Sequence, residues 1–83
     1  MIHLDGNSIA AVLEEVFGRD MTLASGRCSG CGAEREVGAL HVYRAAGIVV
    51  RCPDCDTVLM RIVVAGDRKW IDFSGLSTVL VLG

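Results

Sequence analysis

Two pairs of cysteines constrain the fold of this chain more than any other feature of its sequence. Cys28 and Cys31 are separated by two residues, as are Cys52 and Cys55, and twenty residues lie between the pairs. Each Cys-x2-Cys segment closes a tight turn that directs two sulfur atoms at one point, and two such turns complete a tetrahedron. Zinc favours these ligands because it is borderline-soft, four-coordinate and inactive in redox chemistry. The spacing therefore predicts one structural Zn²⁺ ion bound by all four cysteines.

The same four cysteines could also bind iron, form two disulfides or include a redox-active pair. Iron in a rubredoxin-like site would take the same four ligands in the same geometry. Two disulfides would require an oxidising compartment, for which the sequence carries no targeting signal. A thioredoxin-type redox pair lies at the start of a helix, whereas Cys52 and Cys55 lie between two strand-like segments. Zinc is therefore preferred, and iron stays open as the alternative.

The residues around the cysteines suit two tight turns. Glycine flanks Cys31 on both sides, which allows the backbone to direct N–H groups toward sulfur. Asp56 occupies the place in the second turn that Gly32 has in the first, and aspartate tolerates left-handed backbone geometry better than most residues. Arg27 and Arg51 directly precede the two pairs, and we expect them to neutralise part of the thiolate charge.

Length and composition predict one small packed domain spanning residues 1–83. Apolar residues make up 52% of the chain, so a hydrophobic core is expected rather than a disordered tail. A chain of 83 residues lies near the lower size at which such a core suffices alone, and a metal commonly adds stability. The formal net charge of −2 becomes about −4 with four thiolates and one divalent ion, which disfavours a polyanionic partner.

The distribution of apolar residues also bears on localisation. No segment approaches the ~20 consecutive apolar residues that span a bilayer. The N-terminal residues lack the basic start and apolar run of a secretory signal. These features predict a cytoplasmic protein, in which paired cysteines stay reduced.

An amphipathic helix is expected over residues 8–17. Asn7 or Ser8 is the expected N-terminal cap, because both side chains accept hydrogen bonds from free backbone N–H groups. Gly18 is expected to end the helix in the left-handed conformation. The helix is expected to pack through one apolar stripe with helical spacing, formed by Ile9, Val12, Leu13, Val16 and Phe17.

From residue 21 onward the pattern changes to short β-strands separated by glycine. Strands are expected at Met21–Arg27, Ala39–Arg44, Ile48–Arg51, Thr57–Val64 and Arg68–Phe73, with Leu76–Leu82 as a further strand or an apolar arm. The hairpin at 39–51 brings the second cysteine pair beside the first. The sequence thus predicts an α+β fold: an N-terminal helix segment at 1–18 packed on an antiparallel zinc-ribbon sheet of five or six strands at 21–83.

The cysteine motifs also carry a family resemblance. Cys-x2-Cys-Gly at 28–32 followed by Cys-Pro-x-Cys at 52–55 resembles the zinc ribbon superfamily. The whole chain, from His-Leu-Asp-Gly-Asn at 3–7 to Trp-Ile-Asp at 70–72, is similar to a family of small uncharacterised actinobacterial proteins, which implies a fold but no activity. The cysteine-rich half is also similar to the zinc domain of hydrogenase-maturation nickel chaperones. Those proteins bind nickel through an N-terminal Met-His-Glu, whereas this chain begins Met1-Ile2-His3.

Four further residues are candidates for binding, and a structural role is preferred for each. His3, together with a terminal amine and two backbone amides, has the ligands of a square-planar Cu²⁺ or Ni²⁺ site, although a plain exposed side chain is preferred. His41 is expected on a strand as a structural residue rather than as a replacement for a cysteine ligand. Trp70 and Tyr43 are expected to pack in the core or at its rim beside the helix.

The sequence indicates no enzymatic site, since it contains no phosphate-binding loop, Ser/His/Asp set or paired-carboxylate site. The preferred function is a non-enzymatic accessory module that docks on a protein partner, or on a second copy, through the apolar segment 76–82. Electron transfer by iron at the same sulfurs is one alternative. Nucleic-acid binding is another, disfavoured by the acidic balance and by a total of four aromatic residues.

Overall fold

The computed structural model describes residues 3–81, which form one α-helix, eight β-strands and two short 3₁₀ turns. In chain order these are β1 (Leu4–Asp5), a 3₁₀ turn (Gly6–Ile9), α1 (Ala10–Phe17), β2 (Ser25–Cys28), β3 (Glu34–Glu36), a second 3₁₀ turn (Val37–Ala39), β4 (His41–Arg44), β5 (Ile48–Arg51), β6 (Val58–Ala65), β7 (Arg68–Asp72) and β8 (Leu76–Leu80). Every strand pair is antiparallel, and the predicted α+β class is confirmed. Within residues 3–81, no helix is both long and apolar enough to cross a bilayer.

The helical segment begins earlier than predicted and is capped by a different residue. The backbone enters it through the 3₁₀ turn Gly6–Ile9, and the Asp5 carboxylate accepts a hydrogen bond of 3.0 Å from the N–H of Asn7. The prediction that Asn7 or Ser8 is the cap is therefore wrong. Asp5 has the extended backbone that a cap requires, and its negative charge also suits the positive end of a helix.

Gly18 ends α1 as predicted, in the left-handed conformation with φ of 73°, and its N–H donates to the carbonyl of Glu14 at 2.7 Å. The predicted apolar stripe is buried only in its first half. Ile9 and Leu13 are 0% and 1% exposed, whereas Val16 and Phe17 are 43% and 41% exposed. The last turn of α1 thus lies beside an open groove instead of against the sheet.

A five-stranded sheet in the order β1-β4-β5-β6-β7 forms the larger half of the fold. Val42, Val50 and Met60 lie opposite one another on β4, β5 and β6, and all three are buried. Ile9 and Leu13 belong to the same buried cluster, so the N-terminal helical segment covers this face of the sheet. The hairpin of β4 and β5 was predicted, and the pairing of β5 with β6 positions the residues before and after the second cysteine pair.

The other face of the five-stranded sheet is open to solvent. Trp70 lies opposite Val63 in the β6–β7 ladder, and these side chains are 54% and 45% exposed. The expectation that Trp70 packs in the core or at its rim beside the helix is therefore wrong. Side chains alternate between the two faces of a strand, and Ile71, the next residue, is the one that packs against the core. Tyr43 lies half-buried on the open face.

A second sheet has three strands in the order β3-β2-β8. Its central strand begins at Ser25 rather than at Met21, because a turn in which the Ala24 N–H donates to the Met21 carbonyl precedes it. β3 was not predicted: its three residues are all charged and exposed, so they show no apolar alternation. β8 confirms the expectation of a further strand over most of segment 76–82, of which Leu82 lies outside the described residues.

The two sheets meet at Gly75, in the loop before β8. Its N–H donates to the carbonyl of Leu59 at 3.2 Å, and its own carbonyl accepts from the N–H of Ser29 at 2.9 Å. A Cβ atom at this position would overlap the backbone of Val58 and Leu59. Gly75 therefore allows β6, β8 and the first cysteine turn to approach one another closely.

The Gly75 contact predicts that Gly75→Ala destabilises the protein more than the same substitution at Gly18, which has open space around it. We expect about 3 kcal/mol or more from forced displacement of packed backbone. Gly18→Ala is the matched control, since it costs roughly 1–2 kcal/mol through its left-handed backbone and no atom lies within 4 Å of the added carbon. Chemical denaturation of both variants measures the difference, and equal losses would contradict the assigned contact.

Candidate metal centre

The first cysteine pair lies in a tight turn over residues 28–33, at the end of β2. The N–H of Cys28 donates to the carbonyl of Ala33, and the N–H of Gly32 donates to the carbonyl of Cys28, both at 2.9 Å. The N–H of Gly30 points at the Cys28 sulfur, 3.3 Å away. Gly32 has φ of 77°, which explains why glycine follows the second cysteine of this pair.

The second pair repeats this arrangement over residues 52–57, directly after β5. The N–H of Cys52 donates to the carbonyl of Thr57, and the N–H of Asp56 donates to the carbonyl of Cys52, both at 2.9 Å. The N–H of Asp54 lies 3.4 Å from the Cys52 sulfur. Asp56 has φ of 66° and is the non-glycine residue with positive φ found among residues 3–81, as expected from its alignment with Gly32.

The two turns bring all four cysteine sulfur atoms together. The Sγ atoms of Cys28 and Cys55 are 3.6 Å apart, those of Cys31 and Cys52 are 3.7 Å apart, and all four lie within 4.8 Å of one another. Metal–sulfur bonds of about 2.3 Å in a regular tetrahedron place sulfur atoms ~3.8 Å apart. The four sulfurs therefore fit one four-coordinate ion, and the two close pairs each join one turn to the other.

The approach of the two turns depends on a residue without a side chain. A Cβ atom on Gly30 would lie 2.5 Å from Oγ1 of Thr57. The same hydroxyl lies 3.0 Å from the sulfur of Cys55, so it hydrogen-bonds a ligand atom of the second turn. A glycine at position 30 thus lets the first turn reach the sulfur cluster without displacing Thr57.

The cluster lies at the surface of the fold, with one side in the core. Cys28 and Cys52, the first residues of the two pairs, are 3% and 2% exposed and belong to the hydrophobic core. Cys31 and Cys55, the second residues, are exposed. An ion held here would therefore be anchored from the core side and reached from solvent on the other.

Hydrogen bonding distributes charge unevenly over the sulfur atoms. Burial disfavours the Cys28 thiolate, but hydrogen bonds from the N–H groups of Cys31 and Gly30 and from nearby thiols outweigh it and lower the pKa to about 6. The N–H of Ala33 favours the thiolate of Cys31, but hydrogen bonds with Cys55 and the other thiols, together with burial, raise its pKa to about 12. A bound divalent cation would remove this difference in protonation between Cys28 and Cys31, because a coordinated thiol is deprotonated.

Arg35 is a functional neighbour that the sequence analysis missed. Its guanidinium donates two hydrogen bonds, of 2.8 and 2.7 Å, to the carboxylate of Asp54 inside the second turn. This pair, and then the negative charge of Cys52 and Cys31, raises the pKa of Arg35. The paired guanidinium also lowers the pKa of Asp54. β3 is thereby tied to the metal turn by a bidentate ion pair.

The two arginines expected to offset the thiolate charge have other positions. Arg51 donates to the carbonyl of Asp56 at 2.8 Å, and its guanidinium lies 3.7 Å from the Asp56 carboxylate, so it braces the second turn. Arg27 is exposed on β2, and its side chain has no hydrogen bond or ion pair with any of residues 3–81. Arg35, on a strand that was not predicted, is the cation linked to the cluster.

The histidines lie outside the sulfur cluster. The rings of His3 and His41 stack at 3.7 Å between centroids, and within residues 3–81 the ligand group that converges consists of the four cysteines alone. His41 on β4 is therefore a structural neighbour of β1, as expected. A square-planar site at His3 would also need Met1 and Ile2, which lie outside the described residues.

Comparison with known proteins places the chain in a family without assigning it a role. A family model described as a family of unknown function, DUF6510, matches residues 1–82. No match was found among curated proteins or among solved structures. The expected resemblance to an uncharacterised family is thus confirmed, whereas the similarity to nickel-chaperone zinc domains stays a prediction. With a match that extends over nearly every residue, the chain belongs to the DUF6510 family of unknown function.

Proposed function

We propose that this protein is a zinc-stabilised, non-enzymatic interaction module of the cytoplasm. The observation that carries the proposal is the convergence of four cysteine sulfurs, from turns distant in sequence, to separations that suit one tetrahedral ion. Four protein ligands fill the coordination of zinc and leave no position for water or substrate. This supports a structural role for the ion.

The position of the cluster explains what the ion would contribute. Cys28 is the last residue of β2 in the three-stranded sheet, and Cys52 follows directly after β5 in the five-stranded sheet. An ion bound to both would add a cross-link between the two sheets to the backbone hydrogen bonds at Gly75 and the Arg35–Asp54 ion pair. In such a domain, the free energy of metal binding is also free energy of folding.

An exposed apolar surface supports the interaction role. Half of the ten large hydrophobic residues exposed among residues 3–81 lie on or beside β8: Phe17, Leu23, Val79, Leu80 and Val81. Single exposed apolar residues are common, but a contiguous group of them marks a contact surface. We therefore assign docking to the β8 side of the molecule rather than to the sulfur cluster.

Nucleic-acid binding is a second candidate, with one observation in its favour. The open face of the five-stranded sheet carries Tyr43, Arg61 and Trp70, a combination that suits stacked bases and phosphates. It ranks second because the chain is acidic and the two aromatic residues lie three strands apart, ~14 Å. A gel shift with a single-stranded oligonucleotide at low salt tests it, and absence of a shift would eliminate this candidate.

Replacement of one ligand should remove the ion and the stability it supplies. We expect Cys52→Ser to abolish stoichiometric zinc and to lower the free energy of unfolding by about 4 kcal/mol or more, as is usual for loss of a structural metal. Ser29→Ala is the control, because it alters the same centre without touching a ligand or the backbone N–H that binds Gly75. Metal analysis and chemical denaturation of protein from the native host provide both readouts.

Two results would change this assignment. Full zinc content and unchanged unfolding in Cys52→Ser would show that the cluster is not the metal site. Stoichiometric iron in the wild-type protein, seen also as visible absorbance of a ferric tetrathiolate, would favour electron transfer instead.

Acidification should weaken zinc binding, and the slope of the logarithm of zinc affinity against pH should change near the pKa of Cys28. Above about pH 6, Cys28 is already a thiolate and releases no proton on binding, whereas below it one more proton must leave. The logarithm of the apparent zinc affinity should therefore rise with pH throughout. Its slope should be greater by one below about pH 6, because one more proton is released on binding there. Competition with a chromophoric chelator across this range measures the slope. A constant slope would show that Cys28 is not the low-pKa thiol.

A further inference from the structure

Three of the four sheet edges in the described part of the chain are protected against pairing with another strand. β1 is only two residues long. The other two protected edges, β3 and β7, carry three charged residues each: Glu34, Arg35 and Glu36 on β3, and Arg68, Lys69 and Asp72 on β7. Short strands and charged side chains are the usual means by which folded proteins prevent edge-to-edge association.

The fourth edge has neither protection. β8 pairs with β2 on one side, and no strand within residues 3–81 pairs with its other side. Its five residues, Leu76–Leu80, include no charge and no proline, and apolar Val81 follows. The backbone N–H and C=O groups on this edge are available to a fourth strand, supplied by any molecule that can lie alongside it.

An apolar groove adjoins the same edge. It has a volume of about 320 Å³, and it is lined by Phe17, Met21, Phe73, Val79 and Val81 together with Arg19. The rings of Phe17 and Phe73 lie 5.8 Å apart along it. Val79 and Val81 remain 40% and 41% exposed although they face inward to this groove, so a strand added at the edge would cover them.

We propose that two copies of this chain associate through β8, in an antiparallel arrangement about a twofold axis. This rests on the proposed interaction role and names its partner as a second copy. A twofold contact pairs the same surface with itself, so like charges would oppose one another, and β8 has none. Beside Val81, Arg19 and Asp20 carry opposite charges, so this border of the apolar surface has no net charge from these two residues to repel a second copy.

The size of the apolar surface suits a pair of small subunits. A specific interface buries about 1,000 Å² or more in total, so each partner must supply at least ~500 Å², a tenth of the 5010 Å² here. Five exposed apolar side chains and a strand ~17 Å long supply a surface of that order. Pairing would join the two small sheets into one of six strands, β3-β2-β8-β8-β2-β3, and remove both unprotected edges.

Sedimentation equilibrium of zinc-loaded wild-type protein and of Val79→Lys tests this arrangement. We expect the wild type to approach twice the 8.8 kDa of a single chain as concentration rises. Val79→Lys should weaken association by about 100-fold or more, because the interface would bury an unpaired charge. Val63→Lys is the matched control: Val63 is 45% exposed, close to the 40% of Val79, but it lies on the open face of the other sheet, and its variant should associate like the wild type.

The outcomes separate this inference from the proposed function. A wild-type protein that holds zinc and keeps the mass of one chain at every concentration overturns self-association, and the edge is then left to a different protein. Normal association of Val79→Lys overturns it as well. Absence of bound zinc in the wild type would instead refute the proposed function.

Amide hydrogen exchange tests the same association in the wild-type protein, so it does not depend on whether Val79→Lys folds. Alternate amides of β8 should become protected as concentration rises, while those of β7 should not change. Protection that is independent of concentration would show that β8 does not pair with a second copy.

Discussion

The convergence of four cysteine sulfurs at separations that suit one four-coordinate ion is the constraint on which this fold depends. The two turns hold the sulfurs at separations that suit coordination, and the hydrogen bonds that form each turn are directed by backbone N–H groups rather than by side chains. Without a cation the sulfurs do not all ionise, since the pKa of Cys31 is raised to about 12, and the junction between the two sheets would then lack the cross-link that an ion supplies. A chain of 83 residues lies near the lower size at which a hydrophobic core suffices alone, so an ion at this junction would add stability where the fold has little in reserve.

Features set by local chemistry were predictable from the sequence. The cysteine spacing, the left-handed position shared by Gly32 and Asp56, the glycine that ends α1 and the β4–β5 hairpin each follow from a few adjacent residues. Features set by tertiary placement were not. β3 shows no apolar pattern because it is an exposed edge, and its pairing with β2 depends on the turn between them. Arg35 could be matched to Asp54 only once that pairing was known.

Burial also departed from the sequence pattern in a way that bears on function. Helical periodicity indicates which side chains share a face, but the length of the opposing surface decides how many of them are covered. Leu13 meets the sheet, whereas Phe17 extends past it to the groove beside β8. The end of the apolar stripe that periodicity assigned to the core therefore lies at the surface. It adjoins β8, the one sheet edge within residues 3–81 that has no charged residue.

Metal binding and strand addition should be thermodynamically coupled, because both act on β2. Its last residue is Cys28, and along its length it is the ladder partner of β8. A cation at Cys28 would hold β2 in place and so keep β8 in an extended conformation ready for pairing. A second copy paired with β8 would stabilise the same two strands from the other side. Each ligand favours the folded form that the other requires, and linkage then demands that each raise the affinity of the other by the same factor.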